Sequence, residues 1–158
     1  MSEIQIDFKK LWQHLSSQFL LGRDSIHGPA HWRRVETFGL KIAEKNGADT
    51  TVVKLFAVFH DSRRENESWD PEHGRRGAAL AATLRGKFFD LDDARFAILE
   101  EACTFHADGF THKHPTIGAC WDADRLDLPR VGILPNPKLL CTAAARDKEL
   151  LAWSLGHR

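Results

Sequence analysis

Four residues whose side chains commonly bind divalent metals lie on the apolar faces of predicted helices or at the ends of those helices. His31 begins a series at the i, i+4, i+7 and i+11 spacing that turns one helix face toward the core. That series is His31, Val35, Phe38 and Ile42. His60 ends a strongly apolar segment with Asp61 directly after it, and Asp124 continues the apolar line of a later helix. All four side chains are therefore expected to face the core.

Burying two imidazoles and two carboxylates costs several kcal/mol for each uncompensated charge, unless a positive group lies among them. Taken singly, an inward histidine is more often a hydrogen-bonded core residue, and an inward aspartate more often pairs with an arginine or caps a helix. Their coincidence in one chain indicates a divalent cation. Histidine and carboxylate ligands suit Mn²⁺, Fe²⁺, Co²⁺, Ni²⁺ or Zn²⁺, with Mg²⁺ as a further candidate, and we expect one or two ions.

Helices must position these residues, because apolar residues recur at helical spacing and no long period-two alternation predicts a strand. The predicted fold class is therefore all-α, a helical bundle with the metal site at its centre. The first helix is expected over residues 3–21, closed by Gly22. The second is expected over Pro29–Asn46, with Gly47 as its C-terminal stop.

The rest of the chain continues this helical pattern. A short, buried third helix is expected to begin at Thr50 or Thr51 as its cap, and a charged loop over 61–73 follows it. Further helices are expected over 74–85, 92–107, 116–126 and 138–154, with a proline-punctuated connection over 128–137.

Length and composition indicate the domain organisation, the types of partner and the cellular location. At 158 residues the chain fits one domain, so we expect a single domain over 1–158, with its motifs in 27–128 and the last helix packed on it. The 22 basic and 22 acidic residues cancel, which gives no signal for non-specific nucleic-acid or membrane binding. Three separated cysteines and the lack of a long apolar run favour a cytoplasmic protein. The sequence does not fix the oligomeric state.

Three motifs in this order resemble the HD-domain superfamily of metal-dependent phosphohydrolases. His31 to Val35 is similar to the first motif of that family, H-x-x-R-V, and His60-Asp61 to the second. The segment Asp122–Asp127 resembles the DADRLD form of the last motif, which occurs in small standalone members. The resemblance covers residues 3–128.

The resemblance implies that His31, His60, Asp61 and Asp124 hold a metal. It also implies a metal-activated water that attacks phosphorus in a small phosphorylated substrate, most simply a nucleotide. A divalent cation can lower the pKa of its water towards roughly 7 and polarise a phosphoryl oxygen at the same time. Asp61 is then catalytic as well as a ligand.

Some members of this family carry further histidines that bind a second metal. His73 and His106 are the candidates here, either as ligands or as hydrogen-bonding groups outside the ligand set. We also place His106 and Arg64 among the expected catalytic residues. Arg64 occupies the position of the lysine in the HDxxK form that the family often has, and it keeps the positive charge.

Phosphate binding needs donors placed where negative charge develops. Arg34, His27, His73 and Arg125 are expected to contact the substrate, because they lie next to the ligands in sequence. A surface salt bridge is the alternative for each arginine.

Two other functions remain open from the sequence alone. A few HD proteins are di-iron oxygenases, and His73 or His106 would supply the extra ligands that such a centre needs. A non-catalytic module that senses a nucleotide or a metal is the other alternative, and it predicts binding without turnover.

Overall fold

The computed structural model describes residues 5–158, and within that range the chain forms eight α-helices, two short 3₁₀ turns and no strand. The prediction of an all-α fold is confirmed. The helices are α1 (Phe8–Gln18), α2 (Pro29–Asn46), α3 (Thr50–Phe59), α4 (His73–Leu84), α5 (Asp93–Phe105), α6 (Pro115–Arg125), α7 (Ala143–Arg146) and α8 (Lys148–Gly156). The 3₁₀ turns are Leu128–Val131 and Pro137–Leu139. Over the described range, every helix is too short or too polar to cross a membrane.

The core is built around α3, which packs against α2, α5 and α6. Each residue from Leu55 to Phe59 is fully buried, because this helix has almost no polar face. Helix α2 also packs along α6, and α4 packs along α5. The C-terminal end of α3 therefore emerges between α2, α4, α5 and α6, where the polar residues that follow it can meet side chains from several helices.

The ends of α2 agree with the sequence prediction. Pro29 takes the first helical position, and Gly47 ends the helix in the left-handed conformation at φ 74°. The cap of α3 differs, because Asp49 and not Thr50 or Thr51 accepts hydrogen bonds from the first free amides of the helix. A carboxylate offers a stronger acceptor there than a hydroxyl does.

The first helix is shorter than the predicted 3–21. Asp7 begins it, since its carboxylate accepts a hydrogen bond from the Lys10 amide at 3.0 Å, and Phe19 already has extended backbone. Phe19 turns inward to pack edge-on against Trp32, with 5.3 Å between the ring centroids. The predicted start at Glu3 lies outside the described residues.

The predicted helix over 138–154 is wrong, because the chain forms two separate helices there. The Asp122 carboxylate accepts hydrogen bonds from the amides of Cys141 and Thr142 at 2.6 and 2.8 Å, which holds this stretch extended. Thr142 then caps α7 and Asp147 caps α8. Local capping by these side chains outweighs the helical periodicity of the segment.

Candidate metal centre

His31 lies in the first turn of α2 and is fully buried. Its ring is fixed from behind, because the Nδ1 atom lies 2.6 Å from the Asp127 carboxylate. A carboxylate can only accept, so Nδ1 carries the proton of the neutral ring and Nε2 presents a lone pair. The ring therefore offers a metal-binding nitrogen toward the end of α3.

His60 lies just beyond the last residue of α3 and is held in the same way by its own helix. Its Nδ1 atom donates to the carbonyls of Phe56 and Ala57 at 3.1 and 3.0 Å. The Nε2 lone pair again points away from the helix, and it lies 3.1 Å from Nε2 of His31. Two lone pairs thus face each other across a buried gap.

Two carboxylates close this gap. Oδ2 of Asp61 lies 3.2 Å from Nε2 of His31 and 3.3 Å from Nε2 of His60. Oδ1 of Asp124 lies 3.1 and 3.5 Å from the same two nitrogen atoms. We call these four residues the first group; the structure brings together all of the ligands that the sequence predicted.

The charges of the first group depend on one another. Burial opposes a charge on His60, yet the carboxylates of Asp61 and Asp124 raise the pKa of this ring to about 10. Burial likewise opposes ionisation of Asp61 and Asp124, but the histidines hold the pKa of both carboxyls well below the usual range. With both rings neutral the four side chains would carry two negative charges, so a proton or a cation must lie among them.

The first group fits a divalent cation. Oδ1 of Asp124 is buried and has no hydrogen-bond partner in the structure, which is costly unless it binds something else. The neighbouring donor atoms are 3.1–3.5 Å apart, as expected for ligands that share one ion through bonds of about 2.1 Å. Imidazole nitrogen and carboxylate oxygen are also the donors that borderline divalent metals prefer.

A second group shares Asp61 with the first. Oδ1 of Asp61 lies 3.1 Å from Nε2 of His73 and 3.2 Å from Nε2 of His106, and these two nitrogens are 3.0 Å apart. The Nδ1 atoms donate to the carbonyls of Asp70 and Cys103, so both Nε2 atoms again present lone pairs. The arrangement repeats the chemistry of the first group and could hold a second ion.

Two glycines let helix α4 pack closely enough to place His73 beside Asp61. A Cβ atom at Gly74 would lie 2.5 Å from the Cys103 carbonyl oxygen, and one at Gly77 would lie 2.5 Å from the Phe59 carbonyl oxygen. Both distances are too short for any residue with a side chain. The absence of Cβ atoms thus lets α4 approach the ends of α3 and α5 closely enough for His73 to reach Asp61.

The four residues expected to contact substrate occupy different places. The Arg34 side chain donates to Asp127 at 2.7 Å and so lies behind His31. His73 belongs to the second group, while Arg125 lines the cleft described below and donates to the carbonyls of Leu139 and Phe110 at 2.6 and 2.5 Å.

His27 is buried beside the first group. Its Nε2 atom donates to the Glu67 carbonyl at 2.8 Å, and its Nδ1 atom has no partner and lies 3.9 Å from Oδ2 of Asp61. Burial lowers the pKa of this ring, so Nδ1 is an acceptor that faces another acceptor.

Arg64 lies at the edge of the second group. Its Nη1 atom is 3.2 Å from both ring nitrogens of His73, and its other nitrogens donate to the carbonyls of Asn66 and Ser68. The charged loop after Asp61 is therefore folded back over this arginine.

Two aspartates of the last motif support the site although the sequence did not predict a role for them. Asp127 is fully buried and accepts hydrogen bonds from both His31 and Arg34. Asp122 anchors the chain at Cys141 and Thr142. The recurrence of aspartate in the DADRLD segment was the available signal, but residue type alone does not show which partner each carboxylate meets.

A cleft of about 360 Å³ leads from solvent to both groups. At its inner end lie Asp61, His73, His106 and Asp124, and Arg64, Arg125 and Arg130 line its sides. The remaining wall consists mainly of apolar residues that follow α6. A small molecule can therefore reach the metal-binding atoms without any movement of the core helices.

The comparison with known structures supports the fold. The sequence matches no family model and no curated protein. The structure is similar to that of a predicted HD superfamily hydrolase from an uncultured Thermotogales bacterium, with a TM-score of 0.73 and 22% identity. The match covers 96% of this chain and 87% of the other. The HD-type fold predicted from the three motifs is thereby confirmed.

Proposed function

We propose that this chain is a metal-dependent phosphohydrolase that acts on a small phosphorylated metabolite, with a nucleotide as the first candidate. The observation that carries the proposal is the pair of buried histidine–carboxylate groups, joined through Asp61 at the inner end of an open cleft. The likeness to a predicted HD superfamily hydrolase supports hydrolase chemistry in general.

The first group would hold one divalent ion through Nε2 of His31 and His60 and through the carboxylates of Asp61 and Asp124. The second group would hold another through His73, His106 and the free oxygen of Asp61. Such ions supply a nucleophilic water near neutral pH and polarise a phosphoryl oxygen. Asp61 belongs to both groups, so its two oxygens keep the groups at a fixed separation.

The remaining polar residues place water and phosphate. His27 would accept a hydrogen bond from water at Nδ1, because this atom and Oδ2 of Asp61 are both acceptors and one water can donate a hydrogen to each. Arg64 would place positive charge at the side of the cleft where the phosphate oxygens lie. Burial raises the pKa of the thiols of Cys103 and Cys120, which argues for water and against a thiol as the nucleophile.

The test combines metal analysis with turnover. Purified protein would be loaded with Mn²⁺, Co²⁺, Ni²⁺ or Mg²⁺ and assayed for phosphate release from nucleoside mono-, di- and triphosphates and simple phosphate esters. We expect turnover that a chelator abolishes and that added metal restores. Full metal occupancy with no release of phosphate from any of these compounds would contradict the proposal and favour the non-catalytic module.

A di-iron oxygenase is the second candidate, because the second group lies directly beside the first. It requires two iron ions per chain and consumption of oxygen. Iron content and oxygen uptake, measured on protein produced with added iron, separate the two functions. We favour the hydrolase, since the arginines along the cleft suit an anionic substrate.

A further inference from the structure

Part of the cleft wall consists of large apolar side chains that are exposed to solvent. Ile133, Leu134 and Leu139 all line the cleft and are 53%, 73% and 48% exposed. Leu128 continues this wall inward. Exposed apolar residues that cluster beside a polar centre mark a surface that a ligand covers. We call Leu128, Ile133, Leu134 and Leu139 the apolar wall.

The apolar wall is held in place by hydrogen bonds. Arg130 donates to the carbonyls of Ile26 and Asp127 at 2.9 and 3.0 Å, which ties the segment to the start of α2 and the end of α6. Gly132 turns the chain in the left-handed conformation at φ 81°, and the Ile133 amide donates to the Leu128 carbonyl at 3.2 Å. The wall is therefore a preformed surface beside the centre.

The arginines along the cleft are fixed by hydrogen bonds to the backbone. Arg64, Arg125 and Arg130 each donate at least two hydrogen bonds to backbone carbonyls, which fix the surrounding loops. A guanidinium has five N–H donors, so each arginine keeps N–H groups that can meet an anionic group while its carbonyl bonds hold the loops.

On the basis of the proposed function, we infer that the preferred substrate is a phosphate monoester whose leaving alcohol carries an apolar ring. The phosphate would lie at the metal-binding atoms, and one face of the ring would pack against Ile133, Leu134 and Leu139. Aryl esters and nucleoside monophosphates meet this requirement. Esters of small polar alcohols do not.

The experiment measures kcat/KM of the metal-loaded protein for phenyl, 2-naphthyl and methyl phosphate, and for a nucleoside mono- and triphosphate. Ile133→Ser is the test variant. Val131→Ser is the matched control, because Val131 is an exposed apolar residue of the same segment that does not line the cleft. We expect Ile133→Ser to lower kcat/KM for the two aryl esters by roughly tenfold and to leave methyl phosphate unchanged. The control should match the wild type.

Binding of non-hydrolysable analogues separates this inference from the proposed function. Calorimetry would compare phenylphosphonate with methylphosphonate on the Mn²⁺-loaded wild type and both variants. Tighter binding of the phenyl compound, lost in Ile133→Ser alone, supports the apolar wall even if no ester is hydrolysed. Equal binding of the two phosphonates, or equal losses in the two variants, would overturn the inference while leaving hydrolase activity standing.

Discussion

Asp127 accepts a hydrogen bond at 2.6 Å from the Nδ1 atom of His31, and so determines which nitrogen of that ring is free to bind a metal. Asp127→Asn weakens this control, because an amide can also donate to the ring and favour the wrong tautomer. We expect metal affinity to fall by roughly 10- to 100-fold. Isothermal calorimetry with Mn²⁺ measures the change. Asp90→Asn is the control, since this aspartate also accepts a hydrogen bond from an arginine but lies outside both groups, and its affinity should stay near that of the wild type.

The shared carboxylate of Asp61 predicts the metal stoichiometry of the variants. We expect two ions per wild-type chain at saturation, one for His106→Ala and none for Asp61→Ala, with helicity largely kept in each. Elemental analysis after gel filtration gives the ratio, and circular dichroism checks the fold. His112→Ala removes a histidine outside both groups and should keep two ions. An Asp61→Ala variant that retains both metal and turnover would show that the centre lies elsewhere.

The raised pKa of His60 predicts how stabilisation by metal depends on pH. In the metal-free protein, the folded pKa of about 10 exceeds the ordinary value of 6.5, so the protonated ring stabilises the fold fully below pH 6.5 and loses this effect as the pH rises toward 10. A metal must displace that proton, so its binding strengthens over the same range. The increase in Tm on adding Mn²⁺ should therefore grow from pH 6.5 to about pH 9. An increase that stays constant would contradict the assignment, and Asp61→Ala should show none.

Gly74 and Gly77 predict an unusual cost for alanine within a helix. Alanine normally stabilises a helix relative to glycine by about 1 kcal/mol. Here the new Cβ atom would lie 2.5 Å from a carbonyl oxygen in either case, so α4 must shift. We expect each substitution to lower the free energy of unfolding by about 1–3 kcal/mol and to weaken the second metal site. Gly156→Ala is the control, because a Cβ atom at this position of α8 would meet nothing within 4 Å. Urea unfolding measures all three.

The two nitrogens of His27 can be tested separately. His27→Gln can keep the hydrogen bond to the Glu67 carbonyl and removes the acceptor that faces Asp61, whereas His27→Asn can keep the acceptor and removes the bond to Glu67. If Nδ1 orients water, His27→Gln should lower kcat by roughly 10- to 100-fold with little change in KM or Tm. His27→Asn should lose stability and retain more of kcat. The opposite ranking of the two variants would assign His27 a purely structural role.

The helical periodicity predicted the all-α fold and the core positions of the four residues of the first group. The inward positions of His31 and His60 follow directly from their apolar stripes. What the sequence did not reveal is how the rings are oriented, because the carbonyls of Phe56, Asp70 and Cys103 fix three of them. Every residue has a backbone carbonyl, so the sequence does not show which carbonyl will orient a given ring.

The errors in the fold have a related cause. Periodicity over 138–154 suggested one helix, but a buried carboxylate from α6 takes the amides of Cys141 and Thr142. That contact joins residues 19 and 20 positions apart in the chain and becomes visible only once α6 is packed. Arg34 makes another contact of this kind, since its Nε atom donates to Asp127, 93 positions later in the chain.

Asp122 connects the C-terminal segment to α6, the helix that also carries Asp124. If residues beyond 140 were trimmed away, a buried carboxylate on the same helix as Asp124 would lose its amide and hydroxyl donors. The C-terminal segment thus helps to hold α6 in position. Damage to this segment, far from the cleft, would therefore weaken metal binding.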